Sequence, residues 1–137
     1  MLKKMLMSLV VLAALQGCAT VGVDQMTVTG SMVASARNGY PFDEIAVKEV
    51  GQRNSIIVVT HLKWEPLDQS AGTHTATWSW YANGKLVVVR KRDFRFAITP
   101  FRLSWRMPAA DFAPGHYRVD VALDDKVIDT HEVDIVN

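Results

Sequence analysis

Ten consecutive residues, Thr73–Ala82, alternate with a period of two. His74, Ala76, Trp78 and Trp80 share one parity; Thr73, Thr75, Thr77 and Ser79 share the other. Period two belongs to a strand with one buried face. Asn83-Gly84 follows at once. Both residues tolerate the positive φ of a type I′ turn, so the chain reverses after two residues. This pairing predicts Ala82 opposite Lys85, Trp80 opposite Val87 and Trp78 opposite Val89 on one face. It predicts Thr77 opposite Arg90 and Thr75 opposite Arg92 on the other. One face is then apolar and the other polar along both strands, which is an internal check on the register.

Residues after Phe42 carry no long helical period and read instead as short β-rich runs between turn residues. Ile45–Val50 is a first strand, closed by 51–54, and Ser55–Trp64 a second, with Ile56, Ile57, Val58 and Val59 β-branched in succession. After the hairpin the parity changes: Phe94, Phe96 and Ile98 form a new apolar face, which places a bend or the start of a new strand at Arg92-Asp93. Phe101, Leu103, Trp105 and Met107 alternate with Arg102, Ser104 and Arg106. Tyr117, Val119, Val121 and Leu123 alternate with Arg118, Asp120 and Ala122. Asp124-Asp125-Lys126 turns the chain into a last strand, Val127–Val136. Such spacing suits an all-β sandwich.

The run Pro114-Gly115-His116-Tyr117-Arg118-Val119-Asp120-Val121 resembles the penultimate strand of immunoglobulin-like and fibronectin III-like domains, where a Pro-Gly turn leads into Tyr-x-Val-x-Val. Trp80 is similar to the core tryptophan of their third strand. The resemblance implies a single Ig-like antiparallel β-sandwich of about seven strands over residues 42–137. The inter-sheet disulfide of antibody domains is absent, since Cys18 is the only cysteine. Transthyretin-like sandwiches and small open barrels fit the same strand spacing.

Lys3 and Lys4 precede an apolar run from Met5 to Leu15, interrupted only by Ser8. As a helix this run rises about 16 Å, roughly half a hydrocarbon core, which suits the apolar region of an export signal. Leu15-Gln16-Gly17-Cys18 resembles the lipobox of bacterial lipoproteins, with Gln16 where that family usually has a small residue. The resemblance implies a signal peptide over 1–17, cleavage before Cys18, and a diacylglyceryl thioether on its sulfur. A lone cysteine, with no disulfide partner, agrees with that role. Ala19 and Thr20 follow where inner-membrane retention would have Asp, so the sorting rule of that family implies the outer membrane, facing the periplasm. Residues 18–41 are small and polar and read as a lipidated tether; the competing reading pairs Gln25–Thr29 as an edge strand.

With Lys3 and Lys4 removed, 13 basic residues face 14 acidic ones. That balance argues against nucleic acid and against a polybasic membrane mode. The chain carries none of the nucleophile-elbow, zincin, P-loop or C-x-x-C motifs. His61, His74, His116 and His131 never fall at metal-ligand spacing, so no metal and no cofactor beyond the covalent lipid on Cys18 is expected. The hairpin register places His74 opposite Asp93, as a rim ion pair or the start of a general base. Trp78, Trp80 and Trp105 read as core, and Trp64, beside Glu65-Pro66, as the exposed tryptophan.

Charge is uneven along the chain. Lys85–Arg106 holds seven basic residues against Asp93, and Asp111–Asp134 holds seven acidic residues against Arg118 and Lys126. By parity Arg90, Arg92, Arg102 and Arg106 point outward, as a surface for an anionic glycan, a glycolipid or an acidic envelope protein, or as partners of the acidic strands. The expected function is therefore a non-enzymatic binding or scaffolding role in the cell envelope. The alternatives are an accessory subunit of a secretion, pilus or outer-membrane assembly machine, and a small periplasmic enzyme or enzyme inhibitor.

Overall fold

A computed structural model describes residues 21–37 and 45–137. Among the described residues nine strands are formed: β1 Thr27–Arg37, β2 Ile45–Ala46, β3 Glu49–Gly51, β4 Asn54–Lys63, β5 Gly72–Ala82, β6 Lys85–Phe96, β7 Phe101–Pro108, β8 Gly115–Leu123 and β9 Lys126–Val136. They build two sheets, ordered β2-β1-β4-β7 and β3-β9-β8-β5-β6. All neighbours run antiparallel except β3 and β9. The all-β, Ig-like sandwich expected from the strand spacing is the observed fold.

The single strand expected over Ile45–Val50 is divided between the sheets. Ala46 pairs with Ala34 in one, and Glu49 pairs with Asp134 in the other. The crossing lies at Val47-Lys48. The Val47 amide donates to Val33 in the first sheet, while the Lys48 carbonyl accepts from Asp134 in the second.

The tether reading of 18–41 is corrected over its described part. β1 is an interior strand, lying between β2 and β4 and pairing from Thr27 opposite Lys63 to Arg37 opposite Asn54. Its residues are small because of what they meet. Ala34 and Ala36 are buried against Ile57 and Val59 of β4, which supply the bulk. Before β1 a 3-10 turn, Val23–Gln25, is braced by the Gly22 amide donating to Gln25 Oε1 at 2.8 Å. Val21 is only 2% exposed and belongs to the main core, with Val23 and Met26 packed beside it. The Asn38-Gly39-Tyr40-Pro41 punctuation lies outside the described residues.

β4 explains its own β-branched run. Ile56, Val58 and Leu62 face the main core, while Ile57 and Val59 join Ala34 and Ala36 on the opposite side. A strand buried on both faces loses the alternating pattern.

Asn83 and Gly84 both take positive φ, 53° and 75°, as a type I′ turn requires. The register holds for Ala82 opposite Lys85 and Tyr81 opposite Leu86, then slips at a bulge between Trp80 and Tyr81. Trp80 meets Val88 rather than Val87, and Trp78 meets Arg90 rather than Val89. Val87 is the extra residue, so every later pair is offset by one. The parity change read at Arg92-Asp93 is this bulge seen from the far end of the strand. Val88, Phe94 and Phe96 face inward, and Val87 and Val89 face solvent.

On β8 the Tyr117 hydroxyl donates to the Ala113 carbonyl at 2.6 Å. This is the tyrosine corner of Ig-like domains, tying the loop before the strand to the strand itself. Trp80 is fully buried and stacks on Phe112, with ring centres 4.7 Å apart.

Candidate functional site

Five strands face four. Trp105 of β7 packs on Trp78 of β5 at 5.1 Å, and Phe101 of β7 on Phe96 of β6 at 4.5 Å, so β7 crosses from β5 to the Phe94–Phe96 end of β6 and the rest of β6, from Lys85 to Asp93, overhangs the smaller sheet. The overhang accounts for the twelve-residue strand being exposed over most of its length. Leu86 is 52% exposed, Val87 49% and Val89 37%. Lys85, Arg90, Lys91, Arg92 and Arg95 lie on the same strand and are exposed. Among the described residues no strand pairs with the outer edge of β6.

The four sequence-predicted arginines fall into two groups along this side of the molecule. Arg90 and Arg92 lie opposite Trp78 and Ala76, so they take inward parity rather than the outward parity expected, and reach solvent only because β6 overhangs. The Arg92 guanidinium lies over the Phe94 ring at 5.3 Å, and Arg90 Nη1 donates to the Val89 carbonyl at 3.0 Å. Arg102 and Arg106 stand on the outer face of β7, opposite His61 and Ile57. Arg106 Nη2 donates to the Arg37 carbonyl at 3.0 Å, and Arg102 Nη1 to Ser104 Oγ at 3.3 Å.

Neutralisation of Arg90 and Arg92 by the acidic C-terminal strand is ruled out by topology. Two strands, β5 and β8, separate β6 from β9, about 14 Å at normal strand spacing. Asp93, the one acid on β6, accepts instead from Thr75 Oγ1 at 2.6 Å. The five-stranded sheet therefore carries positive charge at one edge and negative charge toward the other.

His74 does not face Asp93. The bulge sets it opposite Phe94, and its ring is held by Asp124 Oδ2 at 2.5 Å from Nδ1 and by the Ala71 carbonyl at 2.6 Å from Nε2. Hydrogen bonding to His74 is the main reason the Asp124 carboxyl titrates below the ordinary carboxylate value. Both ring nitrogens are engaged, so the pair braces the β8–β9 turn and has no free nitrogen for general-base work.

Sequence reasoning missed a polar bridge between the sheets. Thr60, fully buried on β4, donates to Asp129 Oδ2 on β9 at 2.8 Å, and the same oxygen lies 2.9 Å from His131 Nε2. The period-two pattern of β9 would have placed Asp129 and His131 on one face, but not against Thr60. A hydroxyl and an imidazole both bonded to one carboxylate do not make a nucleophile–base pair, in which the hydroxyl must bond the imidazole. The bridge is structural. Burial pushes the Asp129 carboxyl up, but the hydrogen bonds of His131 and Thr60 outweigh it and hold it below the ordinary range. Because the folded value lies below the unfolded one, the bridge stabilises above the unfolded value, and the contribution is lost as pH falls through the folded value. Asp129→Asn is expected to cost about 1–3 kcal/mol at neutral pH. The gap to the parent narrows in acid, as denaturant unfolding at a series of pH values will read.

His116 is exposed, with Asp134 at 2.6 Å and Glu132 at 3.5 Å, and these hydrogen bonds, Asp134 foremost, raise its pKa. Trp64 is not the exposed tryptophan. It is 1% exposed, and its indole N–H donates to the Gln69 carbonyl at 2.7 Å. Trp78 and Trp80 are buried and Trp105 is half-buried; none of their indole nitrogens has a partner among the described residues. All three contribute packing surface. Cys18, with the signal and lipobox residues before it, lies outside the described residues. Among the described residues no three His, Cys, Asp or Glu side chains are grouped to hold a metal ion, and no helix is long and apolar enough to cross a membrane.

No family model and no curated protein matches the chain. Solved structures do. An immunoglobulin-like protein of Pseudomonas aeruginosa superposes with a TM-score of 0.50 at 10% identity, covering 81% of this chain and 96% of that one. The alkylpurine DNA glycosylase AlkC of Pseudomonas fluorescens, bound to DNA containing an abasic site analog, matches with a TM-score of 0.53 at 11% identity. That match covers 82% of this chain, which spans 31% of the glycosylase. At such identities the likeness is one of fold.

Proposed function

We propose that this chain is an envelope lipoprotein, held through Cys18 at the periplasmic face of the outer membrane, whose Ig-like domain binds an anionic envelope component without catalysing a reaction. The observation that carries the binding role is the β6 overhang. It combines an unpaired strand edge, exposed Val87 and Val89, and the cations Arg90 and Arg92, which are three strands from the acids of β9. Long open edges invite pairing by another chain, and cations along the edge select an acidic one. Arg102 and Arg106 extend positive charge around the same side. The likeness to the glycosylase supports the sandwich alone, and the mature charge balance supports no nucleic-acid role.

Affinity capture of the lipidated protein from crosslinked envelopes tests this reading. An Arg90→Glu/Arg92→Glu variant that keeps its unfolding midpoint is expected to lose the captured component. An unchanged set of captured components would overturn the assignment of the edge. Recovery of one stoichiometric complex would favour the accessory-subunit reading, and recovery of an anionic glycan or glycolipid a free-standing binding role. A Cys18→Ser variant is expected in the soluble periplasmic fraction; its retention on membranes would overturn the anchor.

A further inference from the structure

Both ends of the sandwich expose large apolar side chains, Leu67 and Ile98 at one and Leu86 and Ile45 toward the other, but only the first is reached by the core residue Val21 of the N-terminal segment. At one end lie the N-terminal segment 21–26, the loops 64–71 and 97–100, and the β8–β9 turn; at the other lies the Asn83-Gly84 turn. Trp64 locks the first end together. Its backbone N–H donates to Thr99 Oγ1 at 3.1 Å and its indole N–H to the Gln69 carbonyl at 2.7 Å, so both loops are fastened to one buried residue. The Ala71 amide adds a bond to the Phe96 carbonyl at 2.8 Å, and the Gln69 amide closes a turn on the Pro66 carbonyl at 3.1 Å. From these fastened loops Leu67 and Ile98 project into solvent, 59% and 72% exposed. That both project from the same end is the feature to explain.

The chain supplies the explanation. Val21 is a core residue at this same end. It is three positions after Cys18, with Ala19 and Thr20 between, a reach of at most about 11 Å even when fully extended. A lipid on Cys18 would therefore bring the bilayer surface to the loops, with no tether to hold the domain away.

We propose that this end docks on a zwitterionic lipid surface, with Leu67 and Ile98 entering the interface between headgroups and acyl chains. The proposal rests on lipidation of Cys18. Charge chooses the surface. Asp24 is paired with Lys126 and Asp124 with His74, and Glu65, Asp68 and Asp125 are matched in number by Lys63, Arg95 and Arg102 beside the same loops. A rim of balanced charge suits a zwitterionic headgroup such as phosphatidylethanolamine. Docked in this way, the strands stand away from the membrane and the β6 edge runs outward along their length, open to a partner.

Single cysteines at Leu67→Cys, Ile98→Cys and, at the far end, Asn83→Cys, each in the full-length lipidated protein, carry an environment-sensitive dye. The protein is reconstituted in phosphatidylethanolamine–phosphatidylcholine vesicles. Dyes at 67 and 98 are expected to shift to the blue and to be quenched by nitroxides on the acyl chains, and the dye at 83 to stay aqueous. Adding phosphatidylglycerol is expected to leave the shift unchanged. Aqueous emission at 67 and 98 from protein that floats with vesicles would overturn the docking and leave the anchor intact. Failure of the unsubstituted protein to float, or flotation without Cys18, would overturn the anchor and the docking with it.

Discussion

A chain cut to residues 42–137, the boundary that composition suggests, is expected not to fold. Size-exclusion chromatography and circular dichroism will show an expanded or aggregated species where the 19–137 chain gives a compact β protein with a cooperative transition. The reason is β1. It pairs with β4 from Thr27 to Arg37, and β4 is the most deeply buried strand of its sheet. Its removal strips cover from Ile57 and Val59, deletes Val21 and Val33 from the main core, and opens the backbone of β4 to solvent. Each large apolar side chain is worth about 1.5–3 kcal/mol when buried, and each net backbone hydrogen bond about 0.5–1.5 kcal/mol. Against a typical total of about 5–15 kcal/mol, the loss exceeds what the fold can spare. A cooperative, compact 42–137 fragment would show that β1 is dispensable.

Trp80→Ala is the second large effect. Trp80 is fully buried, stacks on Phe112 and lies near the hairpin end of β5, between β8 and β6. Truncation to alanine leaves a cavity and is expected to cost about 3–5 kcal/mol, lowering Tm by roughly 10–25 °C for a domain of this size. The two buried tryptophans Trp80 and Trp64 separate packing from hydrogen bonding. Trp80→Phe removes volume alone, because its indole N–H has no protein partner among the described residues. Trp64→Phe also removes the bond to the Gln69 carbonyl. Trp64→Phe is therefore expected to be the more damaging by about 1 kcal/mol or more. Equal costs in thermal or denaturant unfolding would contradict that account.

Much of the sandwich is legible in the chain. The Asn83-Gly84 turn is read correctly because its φ requirement is local and few residues meet it. The run from Pro114-Gly115 into Tyr117 is legible as a turn and strand because those signals are contiguous, while the closure of the Tyr117 hydroxyl on Ala113 came from the structure. The partner of His74 was not legible. One bulged residue, Val87, moves every later pair of the hairpin by one, and nothing local to Trp80-Tyr81 announces it. Trp64 was misread because a strand-end position beside Glu65-Pro66 says nothing of the loops that fold back over it. Of the candidate site, the basic run on β6 was visible, but its openness was not. Exposure of Arg90 and Arg92 depends on a five-stranded sheet facing a four-stranded one.

Period, turn chemistry and charge are written in contiguous residues, so the sequence alone determined an all-β sandwich, its central hairpin and a basic strand distinct from an acidic one. Which strand is interior and which overhangs depends on partners far apart in the chain. The small residues of β1 look like slack until Ile57 and Val59 are set against them. Arg90 and Arg92 look outward until the bulge gives them inward parity, and they reach solvent only because β7 covers β6 no further than Phe94 and Phe96. Burial is a property of the assembled layers, and only the tertiary structure could decide it.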